Sequence, residues 1–502
     1  MDAQKEFDRL SGTLFVGGAP LESVSTDRRP VIDPATEIQI GHIADATDHE
    51  IEQAVDLANG ARRQWWAESA LHRAEKLHEV AAAIRELRPE VAELITRETG
   101  KPFKEGMDEV EWAVTATRYF AELGRHSVGR IAGPAARGQM QYTLKEPYGV
   151  VVIVLPANFP VVLLMWEAAA ALAAGNAVIV KPSEFASLTT LKFMEVFSGL
   201  PAGLVQCLTG GGRVGSRLVS HPDTHLVAFT GSVATGQAVA KACAETFKPC
   251  LIEASGNDPF IVMPSAPLRT AARGVAFAAF LNCGQVCTSA ERIYVHTDVY
   301  DEFAELLAAE AAKLRIGNGL DRVDIGPMEH RGELERFERV LARAIEQGAT
   351  VLYGGKRPEG FDKGYFHEPT VLTGVTPEMD VVNGEIFGPL APLVRVDSFD
   401  EAIRLANASR FGLGANVYTT DLIETVRAQH ELVAGTVWVN TPLPDNDAAP
   451  FGGRKLSGLG SQLGAEGLDT FRATKTVMID PSVPEQDFWW FPYQDDEAFP
   501  AV

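Results

Sequence analysis

Three polar residues at three separate turns of this chain could together do covalent chemistry on a carbonyl carbon. Cys287 ends the run Gly284, Gln285, Val286, Cys287, a short turn between an apolar helical stretch and a strand. Glu253 is the lone acid in the apolar run 251–256, and Asn158 sits between Pro156 and Pro160 just past another apolar run. A thiol that attacks a carbonyl needs a base to take protons and a donor to hold the oxyanion, and these three side chains supply those functions. Each also has an ordinary alternative. A cysteine in an intracellular protein is usually structural. Glu253 could be half of a buried ion pair, and Asn158 could be a turn former bonded to its own backbone. Against plain core, Gly284 lets the chain approach a ligand closely, and polar Gln285 and Thr288 flank the thiol turn.

Two further motifs have the chemistry of a dinucleotide site. Phe229, Thr230, Gly231, Ser232, Val233, Ala234, Thr235 and Gly236 place a glycine turn and a hydroxyl at a helix start, where free N–H groups and the helix dipole favour a phosphate. The spacing differs from G-x-G-x-x-G, and a plain capped turn accounts for it equally well. Lys181, Pro182, Ser183 and Glu184 follow a buried strand, so that an acid able to hold ribose hydroxyls and a lysine emerge together. Alone, that pair reads as a solvated surface pair.

The elements that must position these residues are legible between 149 and 263. Apolar runs at 150–155, 177–181, 204–208, 226–229 and 250–254 alternate with helical stretches at 163–174, 189–197 and 233–246, the pattern of parallel strands joined by crossover helices. In such a doubly wound sheet, ligands sit beyond the carboxyl ends of the strands, where Asn158, Lys181, Ser232 and Glu253 fall. Helical patterns at 48–66 and 72–100 precede this unit. A helix at 268–281, a strand at 292–296, a helix at 299–314 and a strand-and-helix series over 349–440 follow it.

Composition bounds the partners. The 502 residues, 46% hydrophobic, can bury a large core in about two to four domains. A net charge of -22, from 67 acidic against 45 basic residues, opposes nucleic acid and anionic membranes. The amino terminus lacks an apolar signal core, and the apolar stretch 161–174 is too short to span a bilayer, so a cytoplasmic protein is expected. Five cysteines, Cys207, Cys243, Cys250, Cys283 and Cys287, are too few and too irregular for a disulfide scaffold, and none has a second pair or a histidine at zinc spacing; no metal is expected.

Taken in order, these motifs closely resemble the aldehyde dehydrogenase superfamily from about residue 30 to about residue 480. Proline, Asn158, Phe159 and Pro160, then Lys181 to Glu184, Phe229 to Ser232, Glu253, Gly284 to Cys287, Glu385-Ile386-Phe387-Gly388-Pro389 and Pro450-Phe451-Gly452-Gly453 all keep the family's register. The resemblance implies an NAD(P)-dependent oxidation of an aldehyde to a carboxylic acid through a thiohemiacetal and a thioester on Cys287. Asn158 and the Cys287 N–H would hold the oxyanion, and Glu253 would activate the hydrolytic water. It places Lys181, Ser183 and Glu184 by the adenosine ribose, Gly231, Ser232 and Gly236 by the pyrophosphate, Thr230 by the nicotinamide, and Glu385 and Phe387 at its ribose. Glu184 would repel an added 2′-phosphate, favouring NAD, while Lys181 keeps NADP possible. A substrate tunnel is implied at Phe159, Val162, Leu163, Trp166, Val286, Thr288 and Phe451, with the loop Pro444-Asp445-Asn446-Asp447 adding negative charge at its mouth, which disfavours small aldehydes carrying a carboxylate.

The implied fold is α/β, with a doubly wound cofactor-binding domain over 1–124 and 148–256, an α/β catalytic domain over 257–470, and a protruding β oligomerisation element over 125–147 and 471–502. A homodimer or homotetramer is expected, with the aromatic tail Phe488, Trp489, Trp490, Phe491, Pro492 and Tyr493 packed on a neighbouring subunit. Departures from the family pattern matter: Ala157 replaces a tryptophan, Ala254-Ser255-Gly256 replaces Leu-Gly-Gly, Glu167 replaces a lysine, and Ser461-Gln462 replaces Arg-Glu. The last two put the proton route from Glu253 in doubt. The rival reading is a cofactor-independent cysteine hydrolase or esterase using Cys287 and Glu253.

Overall fold

The computed structural model describes residues 3–126, 129–483 and 490–491 of the chain. Five parallel strands form the centre of an eight-stranded sheet: Val150–Val154, Ala177–Lys181, Val205–Cys207, Leu226–Gly231 and Cys250–Ala254. Their spatial order is third, second, first, fourth, fifth in chain order, with Leu226–Gly231 beside Val150–Val154. That is the order of a doubly wound sheet, and it puts the topological switch point between the first and fourth strands. Val150, Val151, Val152 and Ile153 are fully buried, as an all-apolar parallel strand covered on both faces requires. Each such side chain contributes about 1.5–3 kcal/mol on burial.

A second sheet of seven strands, centred on Asp258–Val262, Ala290–His296 and Leu390–Val396, carries its own core. The third body is a three-stranded antiparallel sheet in which Arg472–Ile479 and Ile131–Ala132 flank Met140–Pro147. Among the described residues no helix is long and apolar enough to cross a membrane.

The structure differs from the sequence expectations in four places. A 24-residue helix, Phe103–His126, lies where none was read, and it carries the chain past residue 124 before the small sheet begins at Ile131. Four strands, Thr13–Val16, Ala19–Glu22, Arg28–Ile32 and Gln39–Ala44, precede the first predicted helix, and the first two extend the cofactor-side sheet. The predicted helix at 189–197 is a short helix, Ser187–Phe193, tightening into a 3₁₀ turn, Met194–Phe197. Finally, the stretch near 450–471 returns to the first sheet: Gly458–Leu459 pairs antiparallel with Cys250–Ala254, and Phe451, Leu463, Leu468 and Phe471 join the first core. A division at 470 did not foresee that return. Phe488, Trp489, Pro492 and Tyr493 lie outside the described residues; Trp490 and Phe491 are exposed.

Candidate active site

Asn158 follows the first parallel strand, Glu253 ends the fifth, and Cys287 lies in the turn after the helix Leu268–Phe280. Backbone contact brings the last two together. A Cβ on Gly256 would sit 1.9 Å from the Cys287 carbonyl oxygen, so the segment after the Glu253 strand can touch the thiol turn only because residue 256 has no side chain. Gly284 has φ of +73°, and a Cβ there would lie 2.2 Å from the Gly388 carbonyl oxygen, so the thiol turn also rests on the turn around residues 385–389.

Two cavities meet at Cys287. One, of about 300 Å³, is lined by Asn158, Thr230, Gly231, Ser232, Glu253, Glu385 and Phe387 among others. The second, of about 560 Å³, takes in every predicted tunnel residue: Phe159, Val162, Leu163, Trp166, Val286, Thr288 and Phe451. A reacting group entering from the second cavity would meet the thiol with a ligand of the first on its other side.

The Asn158 Nδ2 donates to the Gln285 carbonyl oxygen at 3.2 Å, tying the amide to the thiol turn. Glu253 is buried, and neither carboxylate oxygen has a hydrogen-bond partner among the described residues. Burial pushes its pKa up to about 7; the neighbouring Cys287 thiol and Thr230 hydroxyl pull it down, and Asp445 and Glu385 raise it further. A carboxyl poised there can take a proton near neutral pH. Burial, then the nearby Glu253 carboxylate, raises the Cys287 thiol well above the usual thiol range, so the thiol needs a proton acceptor as it attacks.

Behind Glu253 lies a buried polar chain. The Gln462 Nε2 donates to Glu167 Oε1 at 2.7 Å and the Thr230 Oγ1 donates to the same oxygen at 3.4 Å. Glu167 is fully buried and pushed up to about 8, by burial first and against the Gln462 hydrogen bond, so it is neutral at pH 7. The Glu167–Gln462 pairing thus has the polarity of an acid and an amide.

The first cavity has the donor set of a dinucleotide site. It lies at the switch point, against Gly231 and Ser232 at the start of the helix Val233–Ala244, whose N-cap hydroxyl accepts from the Thr235 N–H. Glu385 offers a carboxylate for ribose hydroxyls and Phe387 an apolar face. The turn that carries them is clamped: Glu291 Oε1 accepts the Ile386 and Phe387 N–H groups at 2.9 and 2.7 Å, while Arg336 donates to the Glu385 and Ile386 carbonyls at 3.2 and 2.7 Å. The buried, unpartnered oxygens of Glu253 and Asn158 facing this space fit a bound polar ring.

Four predicted cofactor residues do not line that cavity. Lys181 and Glu184 lie together at 3.9 Å, with Arg29 joining Glu184 at 3.5 Å. Ser183 spends its hydroxyl locally, accepting from the Phe185 N–H. Gly236 permits close packing instead: a Cβ there would lie 3.0 Å from Ile252. Sequence reasoning missed Glu329, Glu333 and Arg336 in the first cavity, and Trp112, Thr115, Phe277 and Leu281 in the second. Trp112 and Thr115 sit three apart on the unread helix Phe103–His126, whose buried residues Val110, Ala113, Val114, Thr117 and Phe120 do keep helical spacing.

The profile of the Aldehyde dehydrogenase family matches residues 21–477. The chain is 38% identical over 479 residues to aminoaldehyde dehydrogenase 1, peroxisomal, of Malus domestica, covering 93% of this chain and 95% of that protein. It is 36% identical to betaine aldehyde dehydrogenase, chloroplastic, of Amaranthus hypochondriacus, covering 96% and 98%. Among solved structures, betaine aldehyde dehydrogenase from Staphylococcus aureus in complex with NAD+ superposes with a TM-score of 0.94 at 32% identity, covering 97% of this chain and 99% of that one. A 3,6-anhydro-L-galactose dehydrogenase in complex with NAP gives 0.91 at 37% identity, covering 93% and 100%.

Proposed function

We propose, from the premise that this chain belongs to the aldehyde dehydrogenase family and oxidises an aldehyde with NAD(P), that Cys287 is the nucleophile, Asn158 the oxyanion donor and Glu253 the base. As the Cys287 sulfur bonds the aldehyde carbon, its proton passes to Glu253 and the carbonyl oxygen becomes an oxyanion facing the Asn158 amide and the Cys287 N–H. The dinucleotide, held by Gly231, Ser232, Glu385 and Phe387, supplies the hydride acceptor when bound. Loss of hydride leaves a thioester on Cys287. Glu253 releases the thiol proton to solvent, then takes a proton from the attacking water and returns it to the Cys287 sulfur as the carbon–sulfur bond breaks and the carboxylic acid departs. The observation that carries this assignment is that, among the described residues, Cys287 alone lines both cavities and the Glu253 oxygens have no hydrogen-bond partner. NAD is the expected cofactor, and Lys181 with Arg29 beside Glu184 leaves NADP open.

The substrate class we propose is an aldehyde carrying an amino or ammonium group at its far end. Trp166 and Phe451 lie with ring centroids 5.3 Å apart and planes tilted by 60° in the second cavity, which Trp112 also lines, and aromatic rings attract a cation. Asp445 and Asp447 line the same space, Asp445 pushed up to about 7 by burial and by Asp447. A cation would draw both into the charged form. The relatives named for aminoaldehydes and betaine aldehyde support this reading. A panel of amino, ammonium, neutral and acidic aldehydes run with NAD and with NADP tests it: preference for an acidic aldehyde would overturn it.

The chain is further proposed to act as a homodimer or homotetramer through the small sheet. Ile131, Met140, Leu144 and Ile479, which the strand register puts on one face, are exposed, and a second copy would cover them. The five free cysteines suit a reducing compartment such as the cytoplasm.

A further inference from the structure

The thiol turn owes its shape to a residue outside the proposed chemistry. Asn282 and Cys283 have φ of 49° and 56°, so with Gly284 three successive residues are left-handed. Asparagine tolerates that region better than other residues with side chains, because its short amide bonds locally. Here the amide reaches further. The Asn282 Nδ2 donates to the Asn158 carbonyl oxygen and to the Gln285 carbonyl oxygen, each at 3.2 Å. The Gln285 carbonyl is the same acceptor that fixes the Asn158 Nδ2. Asn282 therefore holds both the backbone of residue 158 and the acceptor that orients its side chain.

Both sides of this clamp are anchored. The Gln285 side chain donates to the Asn282 carbonyl at 3.0 Å and accepts the Glu329 N–H at 2.9 Å. The Asn282 N–H donates to Glu105 Oε2 at 3.1 Å. One turn along the same helix, Glu109 Oε1 accepts the Val161 N–H at 2.8 Å, just past Asn158, and pairs through its other oxygen with Lys101. A single helix thus grips both the thiol turn and the segment that carries Asn158.

We propose that Asn282 is a positioning residue, setting the Asn158 amide against Cys287 by bridging residue 158 to the thiol turn. The inference rests on the oxyanion role proposed for Asn158. A misplacement of about 1 Å costs on the order of 100-fold in rate, and loss of two hydrogen bonds at the centre of this clamp permits a shift of that size.

A double-mutant cycle tests it, with NADH formation, cofactor binding by fluorescence quenching and thermal unfolding measured for each variant. Asn282→Gly is the probe because glycine keeps the left-handed backbone while deleting the amide. The expected result is a fall in kcat of about 10- to 100-fold with KM and cofactor affinity changed by less than about threefold. In the Asn158→Ala background the same change should cost less than about threefold, because the group being positioned is gone. An equal cost in both backgrounds would overturn the proposal and make Asn282 merely structural. An unchanged kcat in Asn158→Ala alone would instead refute the oxyanion reading beneath it. Should Asn282→Gly fail to fold, Glu105→Ala, which removes the acceptor of the Asn282 N–H, must show the same dependence on Asn158.

Discussion

Replacing Glu253 by glutamine keeps the volume of the side chain and removes its ability to take a proton. In the wild type the carboxyl is 2% exposed, its oxygens have no hydrogen-bond partners among the described residues, and its pKa is about 7. Burial favours the protonated acid, while the reaction uses the carboxylate, so activity is lost as pH falls through 7. One unit below that midpoint, roughly a tenth of the group is ionised and kcat should be about a tenth of its plateau. A general base contributes about 10²–10⁴-fold, so Glu253→Gln should lower kcat by that factor and abolish the inflection near 7. The assay is NADH absorbance from pH 5.5 to 8.5 with an uncharged aldehyde, which carries no charge for Asp445 to attract. A flat wild-type profile, or a variant that keeps more than about a third of wild-type turnover, would refute the assignment.

The second cavity and the packing behind it give three more expectations. Asp445→Asn should raise KM for an aminoaldehyde by about tenfold and leave a neutral aldehyde within about threefold, as expected if one charge–charge contact is lost; the wild-type KM for the cationic substrate should fall as pH rises through 7, where Asp445 ionises. Glu167→Gln should keep turnover at pH 7 within about threefold, because the residue replaced is already neutral there; a tenfold loss would mean that a Glu167 carboxylate takes part. Lys101→Met strips the partner from Glu109 in a pair whose side chains are both fully buried, and should cost about 3–5 kcal/mol in a urea titration, with a loss below about 1 kcal/mol contradicting the buried-charge account.

The parallel strands and the turns that carry Cys287, Glu253 and Asn158 were legible because their signals are local. The run 150–155 is dominated by β-branched residues and stops at a proline, and the Cys287 turn is marked by Gly284, read as allowing close approach to a ligand and found in close approach to the Gly388 backbone. What was not legible depends on charges in unexpected places or on long separations. The helix Phe103–His126 turns Glu109 inward and takes Gly106 into its buried face, which obscures the start of an apolar period that is regular only from Val110 onward, and Trp112 and Thr115 were lost with it. Ala19–Glu22 is wholly exposed and holds Pro20, so it has no alternation to read. Arg336 reaches the Glu385 turn from 49 residues away, and Gly458 pairs with Glu253 across more than 200 positions, contacts that only the fold specifies.

The account stands on sulfur attack at the junction of the two cavities. The direct measurement is intact and peptide mass spectrometry of the wild-type enzyme quenched in acid within the first turnover after mixing with aldehyde and NAD, before the thioester is hydrolysed. The account predicts that the peptide containing Cys287 gains the substrate's mass less two hydrogens, one lost as hydride and one as the thiol proton, with NADH formed in equal amount. NADH released with Cys287 unmodified and its alanine variant still active would contradict it.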